Sequence, residues 1–155
     1  KLNNISAIGI DTKTEKFNTC NENGAEFSVS PMENDLKNKI ADFSKSNDLD
    51  VVIDFVSSKS SLELGASILG KGGRLVTLGG SGEQFLANSA DMLVKELELI
   101  GSRYCTKQEL KESLDLYARG LIEPLVSVKT DFEGAEGLHD KIEKGEITGR
   151  AGILI

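Results

Sequence analysis

The sequence predicts an α/β protein organised on a parallel sheet, and three observations carry that expectation. Short apolar runs alternate with amphipathic helical stretches at the spacing of βα units. One run, Asp50-Val51-Val52-Ile53-Asp54-Phe55-Val56, is nearly continuously apolar and β-branched, as expected for a central parallel strand covered on both faces. A third stretch, Ala7-Ile8-Gly9-Ile10-Asp11, reads as a strand with an acid at its end and a helix start directly after it. Parallel neighbours of this kind are joined by right-handed crossovers.

The acid is the most informative residue. Thr12 and Glu15 have capping-box spacing, so the helix is expected to begin right after Asp11. In dinucleotide-binding sheets an acid in this place accepts hydrogen bonds from the adenosine ribose. The glycine fingerprint that belongs roughly 20 residues before it is not in the sequence. The expectation is therefore the later part of a nucleotide-binding domain whose opening βα unit lies upstream.

From there the chain reads in order. Residues 5–10 form a strand, and the helix from about Thr14 stops at Asn23-Gly24. Residues 25–29 are a brief strand. Leu36, Ile40 and Phe43 give a helical stripe closed by a polar turn at 44–48. After the 50–56 strand, Ser60 and Glu63 offer a second capping box. Leu62, Ala66 and Leu69 supply that helix face, and Gly70-Lys71-Gly72-Gly73 is expected to stop it. Residues 74–78 form the next strand, ending in Gly79-Gly80-Ser81-Gly82. A helix at 89–95 and a strand at 97–101 follow. Beyond Ser102 the pattern changes. Leu110, Leu114 and Tyr117 make a stripe ended by Gly120, and 122–128, containing Pro124, reads as extended. Ala135, Leu138 and Ile142 make a last helix ended by Gly145. Gly149-Arg150-Ala151-Gly152 leads into a strand at 153–155.

Composition narrows the function classes. The chain has 155 residues, 39% apolar and 28% charged, which suits a globular domain. With a net charge of −7, a nucleic-acid partner is not expected. No apolar run approaches the ~20 residues of a membrane span, so no membrane partner is expected either. Cys20 and Cys105 form no CxxC pair, and a reducing cytoplasm is the default location. His139 is the sole histidine, and neither a zinc site nor a catalytic triad assembles around it in sequence. Asp50 and Asp54 point to one strand face, but strand ends are ordinary places for Asp.

Taken together, several pieces carry a resemblance: D-x-x-x-x-K-F from Asp11, N-G-A, D-V-V-I-D-F-V, G-K-G-G-R-L-V-T-L-G, E-L-x-L-I-G-S and the closing G-x-x-x-G-R-x-G-I-L. Each is weak alone. In this order and spacing the chain resembles, over essentially its whole length, the zinc-dependent alcohol dehydrogenases of the medium-chain dehydrogenase/reductase family. The resemblance implies a Rossmann-like, doubly wound parallel sheet from its second strand onward. Residues 1–102 would be the incomplete coenzyme domain and 103–155 a segment returning to the catalytic domain.

The same resemblance implies NAD as cofactor and hydride transfer with a small alcohol or aldehyde. Zinc would belong to the parent enzyme, with its ligands in the N-terminal half, which is also the implied partner of this chain. No catalytic residue and no metal ligand is expected within these residues. A homo-oligomer, dimer or tetramer, is expected through the strand near 97–101. Residue by residue, Asp11 is the expected ribose acid and Lys16 its neighbour. Val56 and Ser57 would border the adenine pocket, and Leu78, Gly79 and Gly80 would present backbone to the nicotinamide end. Ser102 and Tyr104 would meet the carboxamide, and Arg150 the pyrophosphate. Two other readings stand beside this one: a zinc-free quinone or enone reductase of the same family, and a non-catalytic nucleotide-binding module.

Overall fold

The computed structural model describes residues 5–44 and 49–155. The expected polar turn lies, beyond Ser44, outside the described residues. The described strands are β1 (Ile8–Ile10), β2 (Phe27–Val29), β3 (Leu49–Asp54), β4 (Leu69–Thr77), β5 (Glu98–Gly101), β6 (Val126–Thr130) and β7 (Arg150–Ile153). The helices are α1 (Phe17–Glu22), α2 (Leu36–Ser44), α3 (Lys59–Ile68), α4 (Ser89–Lys95), α5 (Lys107–Ala118) and α6 (Ala135–Glu143). Strands and helices alternate as the periodicity predicts. They form three separate sheets among the described residues: β1-β2, β3-β4-β5 and β6-β7. Both pairings in the second sheet are parallel, as is β6 with β7.

The chain divides into two compact units. One holds 10–12 and 29–104, the other the stretch ending at Gly9 with 13–28 and 105–155. The core of the 29–104 unit is Leu62, Leu69 and Leu75, packed by Leu49, Val52, Ala66, Phe85 and Leu97. Helix α3 lies close on the sheet because Gly65 has no side chain. A Cβ there would sit 2.9 Å from Leu75 Cδ1 and 3.2 Å from Val52 Cγ1. In the other unit Leu138 of α6 is buried, and a capping box starts α5: Glu109 N donates to Thr106 Oγ1 at 3.2 Å and Thr106 N to Glu109 Oε2 at 2.6 Å.

Four local expectations are corrected. Thr12 and Glu15 form no capping box. Lys13 stands in extended backbone at the N-cap, and a 3-10 turn, Thr14–Lys16, comes before α1. The α3 cap is Ser58 with Ser61, not Ser60 with Glu63. The glutamate's Oε1 instead accepts from Leu86 N at 3.2 Å. The glycines at 70, 72 and 73 do not stop a helix. Strand β4 begins at Leu69 directly after α3 and runs through them. Finally, among the described residues β3 is covered on one face only. Val52 faces α3, whereas Val51 and Ile53 remain 47% and 55% exposed. Among the described residues strand β3 pairs along one edge only, with β4.

Candidate functional site

The three parallel strands of the larger sheet end level with one another. Asp54 stands opposite Thr77, and Thr77 opposite Gly101. The ladder runs one step further, with Leu78 N donating to Asp54 O at 2.9 Å and Ser102 N to Thr77 O at 3.0 Å. Residues 55–58, 78–82 and 102–104 therefore form one rim at the carboxyl ends. In open α/β sheets this is where ligands sit.

Asp54 builds the first part of the rim. It is buried, and its Oδ1 accepts from the amides of Val56 and Ser57 at 2.8 and 2.9 Å. This is an Asx turn, in which a short carboxylate replaces the next ladder partner. It carries Ser57 into the left-handed region at φ +55°, where a β-turn residue other than Gly is uncommon. The buried Ser57 hydroxyl then bonds that of Thr77, and the Ser81 hydroxyl donates to Ser57 O. Asp54 Oδ2 is buried with no partner among the described residues. Val56, by contrast, is 66% exposed on top of the turn.

Gly79 and Gly80 form the second part. A Cβ on Gly79 would lie 2.6 Å from both C and O of Val56, so only glycine lets the two loops touch backbone to backbone. A Cβ on Gly80 would meet nothing within 4 Å. The turn thus presents bare backbone to open space beside the exposed Leu78. Tyr104, in the third part, has φ +59° and an exposed ring. The Arg103 guanidinium stacks 4.5 Å from that ring's centroid and donates from Nη2 to the phenol oxygen at 2.9 Å.

Asp11 is placed at the end of β1, partly buried, with its amide donating to Val29 O at 3.3 Å. It belongs to the same unit as the rim, as do Val56, Ser57, Leu78, Gly79, Gly80, Ser102 and Tyr104. Lys16 and Arg150 belong to the other unit. Arg150 is exposed at the start of β7, where its amide donates to Leu125 O at 2.7 Å. Lys13, in that same unit, donates its ammonium to the carbonyl of Gly145 just past α6. Among the described residues no three His, Cys, Asp or Glu side chains gather into a metal site.

Comparison with known proteins decides the family. The family model described as zinc-binding dehydrogenase matches residues 1–119. The chain belongs to the zinc-binding dehydrogenase family. An alcohol dehydrogenase of Geobacillus stearothermophilus is 25% identical over 155 residues, covering 100% of this chain and 45% of that protein. An NAD-dependent alcohol dehydrogenase of Sulfolobus acidocaldarius is 28% identical, covering 92% of this chain and 41% of its own length. The crystal structure of the Aeropyrum pernix alcohol dehydrogenase superposes with a TM-score of 0.81 at 27% identity, over 93% of this chain and 41% of that one. The chain thus spans less than half the length of these relatives. The zinc-binding dehydrogenase chain has the α/β, Rossmann-like fold of their coenzyme domains.

Sequence reasoning passed over Asp54, Thr77, Ser81 and Arg103 as parts of this rim. Asp54 had a readable signal: an aspartate two and three residues before the turn amides it receives. The hydroxyl contact of Ser57 with Thr77 had none, because it joins residues on different strands.

Proposed function

We propose that this zinc-binding dehydrogenase chain is the cofactor-holding portion of an NAD-dependent alcohol dehydrogenase. The observation that carries the reading is the rim. In the same unit stand an acid at the end of β1 and a rim with bare backbone at Gly79 and Gly80, in a family whose similar members include a named NAD-dependent alcohol dehydrogenase. NAD, when bound, supplies the nicotinamide carbon that accepts hydride from the alcohol carbon. Asp11 accepts hydrogen bonds from the two adenosine ribose hydroxyls, and Lys16 lies beside the same ribose. Val56 and Ser57 border the adenine. Leu78, Gly79 and Gly80, with Ser102 and Tyr104, offer backbone groups to the nicotinamide half, and Arg150 meets the pyrophosphate.

In this reading residues 1–102 form the coenzyme domain and 103–155 lead toward the catalytic domain. Zinc chemistry and the pocket for a small alcohol or aldehyde come from the N-terminal half, and the enzyme is cytoplasmic. The decisive experiment is alcohol-dependent reduction of NAD by the intact protein, with bound zinc measured in the same preparation. Nucleotide binding without turnover would leave only a binding module. Reduction of a quinone or enone by the reduced nicotinamide, with no bound zinc, would assign a zinc-free reductase.

Asp11 sets the expected cofactor preference. A 2′-phosphate would bring like charge against its carboxylate. At ~4 Å that repulsion is about 1–4 kcal/mol, between the limits for water and for a partly buried pair. With tenfold in affinity for each ~1.4 kcal/mol, NAD is expected to bind about fivefold to several hundredfold more tightly than NADP. Lys13 and Lys16, both cationic, would soften this discrimination. Titrating the intact enzyme with each cofactor checks it, and equal dissociation constants sink the role of Asp11. In the same titrations Arg150→Ala should weaken NAD by about 1.5–3 kcal/mol, the size of a charge-assisted contact.

A homo-oligomer is proposed through β5. Among the described residues that strand pairs only with β4, and Leu99 and Ile100 are exposed along it. Apolar edges of this kind invite pairing with another chain. Light scattering of the intact protein at micromolar concentration should give a dimer or tetramer mass. A monomer mass removes this proposal.

A further inference from the structure

Apart from the buried Asp54 that folds it, the rim carries one charged side chain. Residues 55–58, 78–82 and 102–104 contribute Phe, Val, Leu, Tyr, Ser and Gly, and then Arg103. That guanidinium is held in place rather than left to wander. Tyr104 adopts φ +59°, and the guanidinium lies 4.5 Å from its ring centroid, with Nη2 bonded to the phenol oxygen at 2.9 Å. No carboxylate of the described residues forms an ion pair with Arg103. A guanidinium resting over an aromatic ring, with one N–H on the phenol oxygen, keeps the rest of its N–H fork available to a further partner. That fork matches a carboxylate or phosphate in a bidentate pair.

We propose that Arg103 is the specificity-determining residue of this site, binding an oxyanionic group carried by the substrate near its reacting alcohol or carbonyl carbon. The inference rests on the hydride-transfer reading and adds the substrate class to it. Position separates Arg103 from the cofactor's own phosphates. In a doubly wound sheet the pyrophosphate sits at the switch point, beside the strand that β3 represents. Strand β5 lies beyond β4, two strand spacings from β3, or about 10 Å. The end of β5 therefore serves the other half of the site. A lone cation there also opposes the positive charge of an oxidised nicotinamide, and an anionic substrate group removes that conflict.

The test uses the intact enzyme with NAD and three alcohols of similar length: butan-1-ol, 4-hydroxybutanoate and 3-hydroxypropyl phosphate. One anionic alcohol should exceed butan-1-ol at least tenfold in kcat/KM, and which one does so identifies carboxylate or phosphate. Arg103→Gln should lower that ratio at least tenfold. Arg103→Lys, which keeps charge but not the fork, should restore part of it. A second readout is calorimetric titration of the NAD complex with acetate, methyl phosphate and acetamide. One of the two anions should bind more tightly than acetamide, and Arg103→Gln should erase the difference. A ratio unchanged by Arg103→Gln overturns the proposal. So does a tenfold loss of affinity for NAD itself in that variant, which would give Arg103 to the cofactor. If no alcohol turns over but the anion still binds through Arg103, the hydride-transfer reading fails and the anion site stands.

Discussion

Residues 1–155 expressed alone should show no cooperative, monomeric unfolding transition, and supplying a parallel strand for the free edge of β3 should restore one. Among the described residues strand β3 pairs with β4 only, so its other edge offers a row of amides and carbonyls with no strand beside them. The side chains along it are apolar and open: Val51 is 47%, Ile53 55% and Phe55 72% exposed. In the doubly wound order 3-2-1-4-5-6, the position beside this strand belongs to strand 1. Fully burying an aliphatic or aromatic side chain is worth roughly 1.5–3 kcal/mol. Two or three left half-open are a large share of the ~5–15 kcal/mol that holds a domain folded. Urea unfolding with size-exclusion chromatography measures this. A sharp transition from a monomer would mean that the edge of β3 closes in some other way.

Gly79→Ala should abolish tight NAD binding and destabilise the intact protein by about 1–3 kcal/mol, the usual cost of overpacking a close contact. The added Cβ meets the carbonyl carbon and oxygen of Val56 at 2.6 Å and the carbonyl oxygen of Phe55 at 2.8 Å. These are backbone atoms, fixed from below by the Asx turn of Asp54 and from the side by the Leu78 amide. They cannot swing aside as a flexible side chain does. The rim must open, and Gly80 and Leu78 move with it. Gly80→Ala is the control, since its Cβ meets nothing within 4 Å in this chain. It should leave stability within about 0.5 kcal/mol, the range of a surface change away from such features. Thermal unfolding and cofactor titration of the two variants distinguish them. Equal effects from both would show that the contact with Val56 is not what requires glycine at position 79.

Helix caps show where sequence reading stopped. Thr12 with Glu15 and Ser60 with Glu63 both satisfy the spacing of a capping box, and neither forms one. In the first case Lys13 holds extended backbone at the N-cap while its ammonium bonds Gly145, more than a hundred residues away. In the second, Ser57 at φ +55° turns the chain early, so Ser58 arrives at the cap first. Glu63 is drawn off to Leu86. Spacing lists the bonds a segment can make locally, and a distant donor or acceptor chooses among them. The buried stripe of Leu36 and Ile40 on α2 was legible for the converse reason. Its periodicity is set by burial of one face, which local bonding does not contest.

The sequence by itself determined the α/β alternation, the parallel strand pairing and the family. Those follow from apolar period, β-branched runs and the ordered spacing of Asp11, the strand-end glycines and the closing Gly-Arg segment. It also placed Gly79, Gly80, Ser57 and Ser102 at strand ends. Only the tertiary structure decided that Asp54 folds the rim, that Ser57 joins Thr77, and that Arg103 rests on Tyr104. It also decided that the 51/53 face of β3 stays open. The physical reason is that these depend on what lies beside a strand end in space, and hydrogen bonding and burial across neighbouring strands leave no period along the chain.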